Sequence, residues 1–146
     1  MSTLSPQQIA ERSAQAMLAN DPASRRLGMK LEEVRPGYAL MRMTITEQMI
    51  NGHNICHGGY VFTLADSAFA FACNTYNRST VAAGASIDFL APSFLDDVLT
   101  AEAEERSLAG RTGVYDVLLT NQDGKRIALF RGKSYRIQGT LFSEPA

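Results

Sequence analysis

The stretch "HGGYVFTLADSAFAFACN", residues 57–74, decides how this chain folds. Apolar residues occupy almost every side of it at helical spacing, and a helix apolar all round is a buried one. The spacing predicts a helix from Gly58 to about Tyr76. On both sides of it the period changes to two. Upstream, Met29 to Thr46 reads as a strand pair turning at Arg35-Pro36-Gly37, with Ala39, Met41, Met43 and Ile45 alternating against Arg42, Thr44 and Thr46. Downstream lie four strand-like runs: Val81 to Leu90, Val98 to Leu108, Val114 to Asn121 and Lys125 to Ile137. Gln122-Asp123-Gly124 joins the last two, and Asp-Gly is a strong hairpin signal.

Near the N-terminus, Ser5-Pro6-Gln7-Gln8 supplies a cap and a first-turn proline for a helix over about 5–20. That helix puts Ala10, Ala14, Met17 and Leu18 on one side and ends near Asn20-Asp21-Pro22. The order helix, two strands, buried helix, four strands makes an α+β arrangement, an antiparallel sheet packed on one central helix. Such a sheet leaves an edge in need of cover, which a second copy of the chain would supply. Residues 1–146 are expected to form one domain, without repeats or linkers.

The net charge of -1 leaves no basic excess to hold nucleic acid. No window approaches the ~18 apolar residues of a membrane span, and the N-terminus lacks the basic start and apolar run of a signal peptide. A cytoplasmic protein with two reduced thiols is the expectation. Cys73, amid alanine and phenylalanine, reads as a small buried hydrophobe.

Both histidines and both cysteines fall between Asn51 and Asn74. His53, Cys56 and His57 are good ligand types, but a structural zinc site wants four, and beyond them only Cys73 remains. No metal is therefore expected. A Cys56 nucleophile with a histidine base would lack a third, orienting group. An ordered loop whose histidines merely make hydrogen bonds stays open.

Gly58 and Gly59 open the long helix, where free N–H groups suit an oxygen anion; equally, they permit a tight turn. Asp66 sits mid-helix between Phe62, Leu64, Ala65, Ala68, Phe69 and Phe71, where an isolated carboxylate costs several kcal/mol or takes up a proton. It is either a satisfied ion pair or hydrogen bond to a strand, or a base or nucleophile. Eight residues separate it from Gly58, roughly 12 Å along the axis. Two antiparallel copies of the helix about a two-fold axis would bring Gly58 of one toward Asp66 of the other, giving two shared sites per dimer.

With "NGHNICHGGYVFTLADSAFAFACN", "ASIDFLAPSFLDDVLTAEAEE", "GRTGVYDVLLTNQDGK" and "ALFRGKSYRI" taken together, the chain closely resembles the hotdog-fold acyl-CoA thioesterases of the phenylacetate-degradation branch, over about Leu27 to Gly139. That resemblance implies a curled antiparallel sheet around a long helix, a homodimer and commonly a dimer of dimers. It implies Asp66 as the catalytic acid, activating water or attacking the thioester, with the Gly58 N–H of the other subunit holding the oxyanion. It assigns His57 and Asn51 to orienting the loop, the carbonyl and the water. Coenzyme A is part of the substrate, and no cofactor is implied.

Arg111-Thr112-Gly113 and Arg131-Gly132-Lys133, with Arg136, are expected to meet the nucleotide, a solvated face being the alternative. Phe62 and Leu64 are expected to line the acyl pocket, with Ser86 and Asp88 nearby. The substrate would be a phenylacetyl-type thioester, with ring hydroxylation. Other aromatic or medium-chain acyl-CoA and a noncatalytic acyl-CoA binding module are the alternatives. Hydratase chemistry is disfavoured, because no histidine follows Asp66 on the helix.

Overall fold

One glycine on the inner face of the sheet, Gly132, lets the long central helix sit deep against it, and that helix organises the rest of the chain. The structure, a computed structural model, describes residues 3–144. Its elements are α1 (Pro6–Ala19), α2 (Pro22–Arg26), β1 (Lys30–Arg35), β2 (Tyr38–Thr44), a 3-10 turn (Glu47–Met49), α3 (Gly58–Cys73), β3 (Thr80–Phe89), β4 (Val98–Ala109), β5 (Thr112–Thr120) and β6 (Arg126–Arg136). The six strands form one antiparallel sheet in the order β1-β2-β4-β5-β6-β3. The sheet curls around α3 in a hotdog fold.

Strand parity builds the core. Ala39, Met41 and Met43 of β2, Leu99, Ala101 and Ala103 of β4, Tyr115 and Val117 of β5, and Ala128 and Phe130 of β6 are all buried toward α3. Gly132 belongs to the same inward set. A Cβ there would lie 2.7 Å from the Phe69 ring, so only glycine lets α3 approach β6 this closely. Its neighbours Arg131 and Lys133 consequently point to the outer face.

The N-terminal helix begins as expected. Ser5 and Gln8 form a reciprocal capping box, and Pro6 occupies the first turn. Asn20-Asp21-Pro22 ends α1 and also starts an unexpected helix. Asp21 caps α2 by accepting the Ser24 N–H at 3.0 Å, with Pro22 in its first turn. The long helix stops at Cys73, three residues short of Tyr76, because the Asn74 side chain turns back to Ala70 O and across to Thr80 O.

The two sheet edges differ. At β1 the Gln7 side chain of α1 donates to Val34 O at 2.8 Å, so the N-terminal helix covers that edge. Nothing among the described residues covers the β3 edge. That strand is exposed over almost its whole length, on both faces, and carries Val81 and Phe89 open to solvent.

Candidate active site

The N-terminus of α3 is prepared by the loop before it. Asn51 accepts the His53 and Ile55 N–H groups through Oδ1, at 2.9 and 3.4 Å, and folds 51–55 into a tight loop. The His57 N–H donates to Met49 O at 2.7 Å. The His57 ring then caps the helix, its Nδ1 accepting the Gly59 N–H at 2.9 Å. That bond puts the neutral ring's proton on Nε2. It also leaves the adjacent Gly58 N–H as a donor with no acceptor among the described residues. A free N–H at the positive end of a 16-residue helix is a ready donor to developing negative charge. The Phe89 ring closes over Gly58, where a Cβ would meet it at 3.0 Å.

Asp66 stands two turns further on, half-buried. It shares a side of the helix with Phe62 and Phe69, whose rings both pack on Phe130 of β6. The ion pair or strand hydrogen bond that would make it structural is absent among the described residues. Burial alone lifts its carboxyl above the usual value. A half-buried, unpartnered carboxylate that retains proton affinity fits a general base.

The cysteines take no part in this arrangement. Cys56 is buried, its thiol raised by burial and directed to His57 O at 3.5 Å rather than to an imidazole nitrogen. Burial, with the charge of Asp66 adding to it, pushes the Cys73 thiol up to about 12. His53 is exposed, and no three His, Cys, Asp or Glu side chains gather as a ligand set among the described residues.

Of the residues expected to meet substrate, Phe62 lies beside Asp66 on α3, whereas Leu64 is fully buried in the core and lines no open space. Ser86, Arg131 and Lys133 stand on the outer face of the sheet, across it from Asp66. Arg131 is committed there. It grips Asp116 with two hydrogen bonds of 2.6 and 2.9 Å, and these, with Arg106, hold the Asp116 carboxyl below its usual value. Asp88 shares that face. Charges beside a glycine looked like a ligand site in the sequence, but strand parity turns them outward.

Arg111 and Thr112 sit at the tight β4–β5 turn, with Gly113 beginning the inward run of β5 against Ser134. Arg111 donates to Arg136 O at 3.2 Å. These two arginines and Arg78, which sequence reasoning missed, border a cavity of about 250 Å³ reaching Cys73 and Tyr76 at the C-terminal end of α3. No acidic side chain lines it. No linear signal marks Arg78, because it joins the others only through the β6–β3 pairing.

A profile of the thioesterase superfamily matches residues 53–128. The acyl-coenzyme A thioesterase PaaI of Escherichia coli K12 is 49% identical over 135 residues, 92% of this chain and 96% of that protein. The solved structure of the E. coli PaaI protein of the phenylacetic acid degradation operon superposes with a TM-score of 0.91 at 48% identity, covering 93% of this chain and 99% of that one. A hypothetical thioesterase protein of Streptococcus pneumoniae TIGR4 solved with coenzyme A gives a TM-score of 0.74 at 28% identity, covering 77% of this chain and 90% of that one. With its hotdog sheet, its open helix N-terminus and its mid-helix carboxylate, the chain belongs to the thioesterase superfamily.

Proposed function

We propose that the protein hydrolyses coenzyme A thioesters of arylacetyl acids, phenylacetyl and its ring-hydroxylated forms foremost, at two sites per homodimer. One observation carries the reading. The free Gly58 N–H and the unpartnered Asp66 carboxylate share one helix yet stand roughly 12 Å apart, too far for one carbonyl. A second copy reconciles them. Pairing along the uncovered β3 edge sets the two α3 helices antiparallel and brings Gly58 of one subunit to Asp66 of the other. Dimers of dimers and a cytoplasmic setting belong to the same proposal.

At each site the Gly58 N–H polarises the thioester carbonyl and holds the oxyanion. Asp66 of the other subunit takes a proton from water as the oxygen adds to carbon, or adds to the carbonyl itself, in which case water then cleaves the acyl-aspartyl anhydride left after the thiolate departs and frees both carboxylates. The tetrahedral intermediate collapses with cleavage of the C–S bond, and the coenzyme A thiolate departs. A thiolate leaves readily, so no strong general acid is required. His57 and Asn51 act through the loop, keeping the Gly58 donor exposed.

The arginine-bordered cavity is the place for the coenzyme A phosphates. Cys73 lies seven residues past Asp66, about 10 Å along the helix, a distance the pantetheine arm spans. Arg111→Ala or Arg136→Ala is expected to raise KM for acyl-CoA about tenfold with little change in kcat, the loss of a charge-assisted hydrogen bond. Arg131→Ala, already bound to Asp116, is expected to leave KM unchanged.

Steady-state hydrolysis of phenylacetyl, hydroxyphenylacetyl, benzoyl and straight-chain acyl thioesters tests the reading. Arylacetyl substrates are expected to give the highest kcat/KM. Uniform inactivity with retained affinity would make the protein a binding module instead.

A further inference from the structure

We infer that Asn77 is a positioning residue for the coenzyme A carrier: it fastens the C-terminal segment 139–144 beside the arginines and so builds the chamber that takes the adenosine end of the substrate. The consequence is a preference for coenzyme A over a bare pantetheine thioester. This rests on the phosphate site proposed above.

Arg78, Arg111 and Arg136, with Tyr76, border two cavities at once. The smaller, of about 250 Å³, runs to Cys73, on the side of α3 that carries Asp66 two turns earlier. The larger, of about 540 Å³, opens instead toward Gln138, Gly139 and Thr140. A substrate whose phosphates lie on the arginines, and whose pantetheine arm follows the smaller cavity toward Asp66, has its adenosine in the larger one. That volume is within the range of small-ligand sites. Glu144 borders it too, and its charge keeps the phosphates to the arginine end.

The larger cavity owes this wall to Asn77. Beyond β6 the chain first runs beside Ser79, whose carbonyl accepts the Ile137 N–H at 2.8 Å and whose N–H donates to Gly139 O at 3.0 Å. Past Gly139 the Asn77 side chain takes over. Its Oδ1 accepts the Leu141 and Phe142 N–H groups at 2.9 and 3.0 Å, and its Nδ2 donates to Phe142 O at 3.0 Å. A chain end frays unless it is tied down, and these bonds tie it. The residue type points the same way. Asn77 is 5% exposed, and its φ of 56° lies in the left-handed region where glycine is at ease. A buried amide at such a position is costly without partners, and each of its side-chain hydrogen bonds among the described residues goes to Leu141 or Phe142.

Asn77→Gly keeps that backbone conformation and removes all of these side-chain bonds. Full-length wild type, Asn77→Gly and Arg111→Ala are compared for affinity toward coenzyme A and pantetheine, and for turnover of phenylacetyl-CoA and phenylacetyl-pantetheine. Asn77→Gly is expected to bind coenzyme A about tenfold more weakly, because the chamber must then be ordered at the moment of binding, and pantetheine within about twofold of wild type. KM for phenylacetyl-CoA should rise in step, with kcat and the pantetheine thioester unaffected. Hydrogen exchange at the Leu141 and Phe142 amides should slow when coenzyme A is added to the wild type, and not when pantetheine is. Equal weakening of both ligands would make Asn77 a part of the fold only and overturn the inference. So would an unchanged coenzyme A affinity in Asn77→Gly: with a loss in Arg111→Ala only the role of Asn77 falls, and with none there the phosphate site falls too. If coenzyme A affinity depends on Asn77 but neither thioester is hydrolysed, the catalytic reading fails and the role of Asn77 stands.

Discussion

Asp66→Asn is expected to lower kcat/KM by about 100- to 10,000-fold while the protein stays folded, as follows from loss of a general base. The side chain is half-buried and bonds to no described residue, so its replacement breaks no structural interaction. The variant is in fact expected to melt above the wild type at pH 7. Burial raises the Asp66 carboxyl in the folded state, so between the ordinary carboxylate value and the raised one the folded protein holds more protons than the unfolded chain. Stability therefore falls as pH rises through that window and is regained on acidification. Asn carries no such penalty, and the two melting curves should converge as the pH is lowered toward the ordinary aspartate range. The same shift places the acid limb of the wild-type kcat/KM profile above the usual carboxylate value. Near-normal hydrolysis by Asp66→Asn would sink the assignment.

Gly58→Pro is expected to cost about 100- to 1,000-fold in kcat, the range for loss of an oxyanion donor. The substitution removes only what the mechanism needs. Proline is favoured at the first position of a helix, and the preceding His57 has φ -60 and ψ 132, an extended conformation compatible with a following proline. The added Cβ meets the Phe89 ring at 3.0 Å, so Gly58→Ala serves as the steric control and should retain far more activity. Far-UV circular dichroism checks that α3 survives. Mixing Gly58→Pro with Asp66→Ala subunits then tests the shared site. Random reassociation makes half the dimers mixed, each with one intact site of two, so about a quarter of wild-type activity should return. Activity that does not return would place each site within a single chain.

Much of this architecture was legible one segment at a time. The capping box at Ser5 and Gln8, the two-residue alternation of Ala39, Met41 and Met43, and the apolar run of α3 are all short-range patterns that the structure repeats. Asp66 stood out because a carboxylate in such a run is costly whatever surrounds it. What the segments could not show has reasons just as physical. Tyr76 looked helical because the segment stays apolar to Cys73, but the Asn74 side chain competes for the backbone and ends the helix. Arg131 and Lys133 stood out because they flank a glycine, and only the fold shows that this glycine makes room for Phe69 and turns its neighbours to the outer face.

By itself the sequence determined the α+β class, the position of the long helix, and the placing of a glycine at that helix's N-terminus and a carboxylate in its middle. Each depends on spacing within a few turns or a single hairpin, where the periods of 3.6 and 2 dictate which side chains share a face. Only the tertiary structure decided that Arg78 stands with Arg111 and Arg136 and that β1 is covered while β3 is open. Those relations join residues far apart along the chain through strand order and loop packing, and no local pattern encodes which distant side chain a curled sheet will bring within reach.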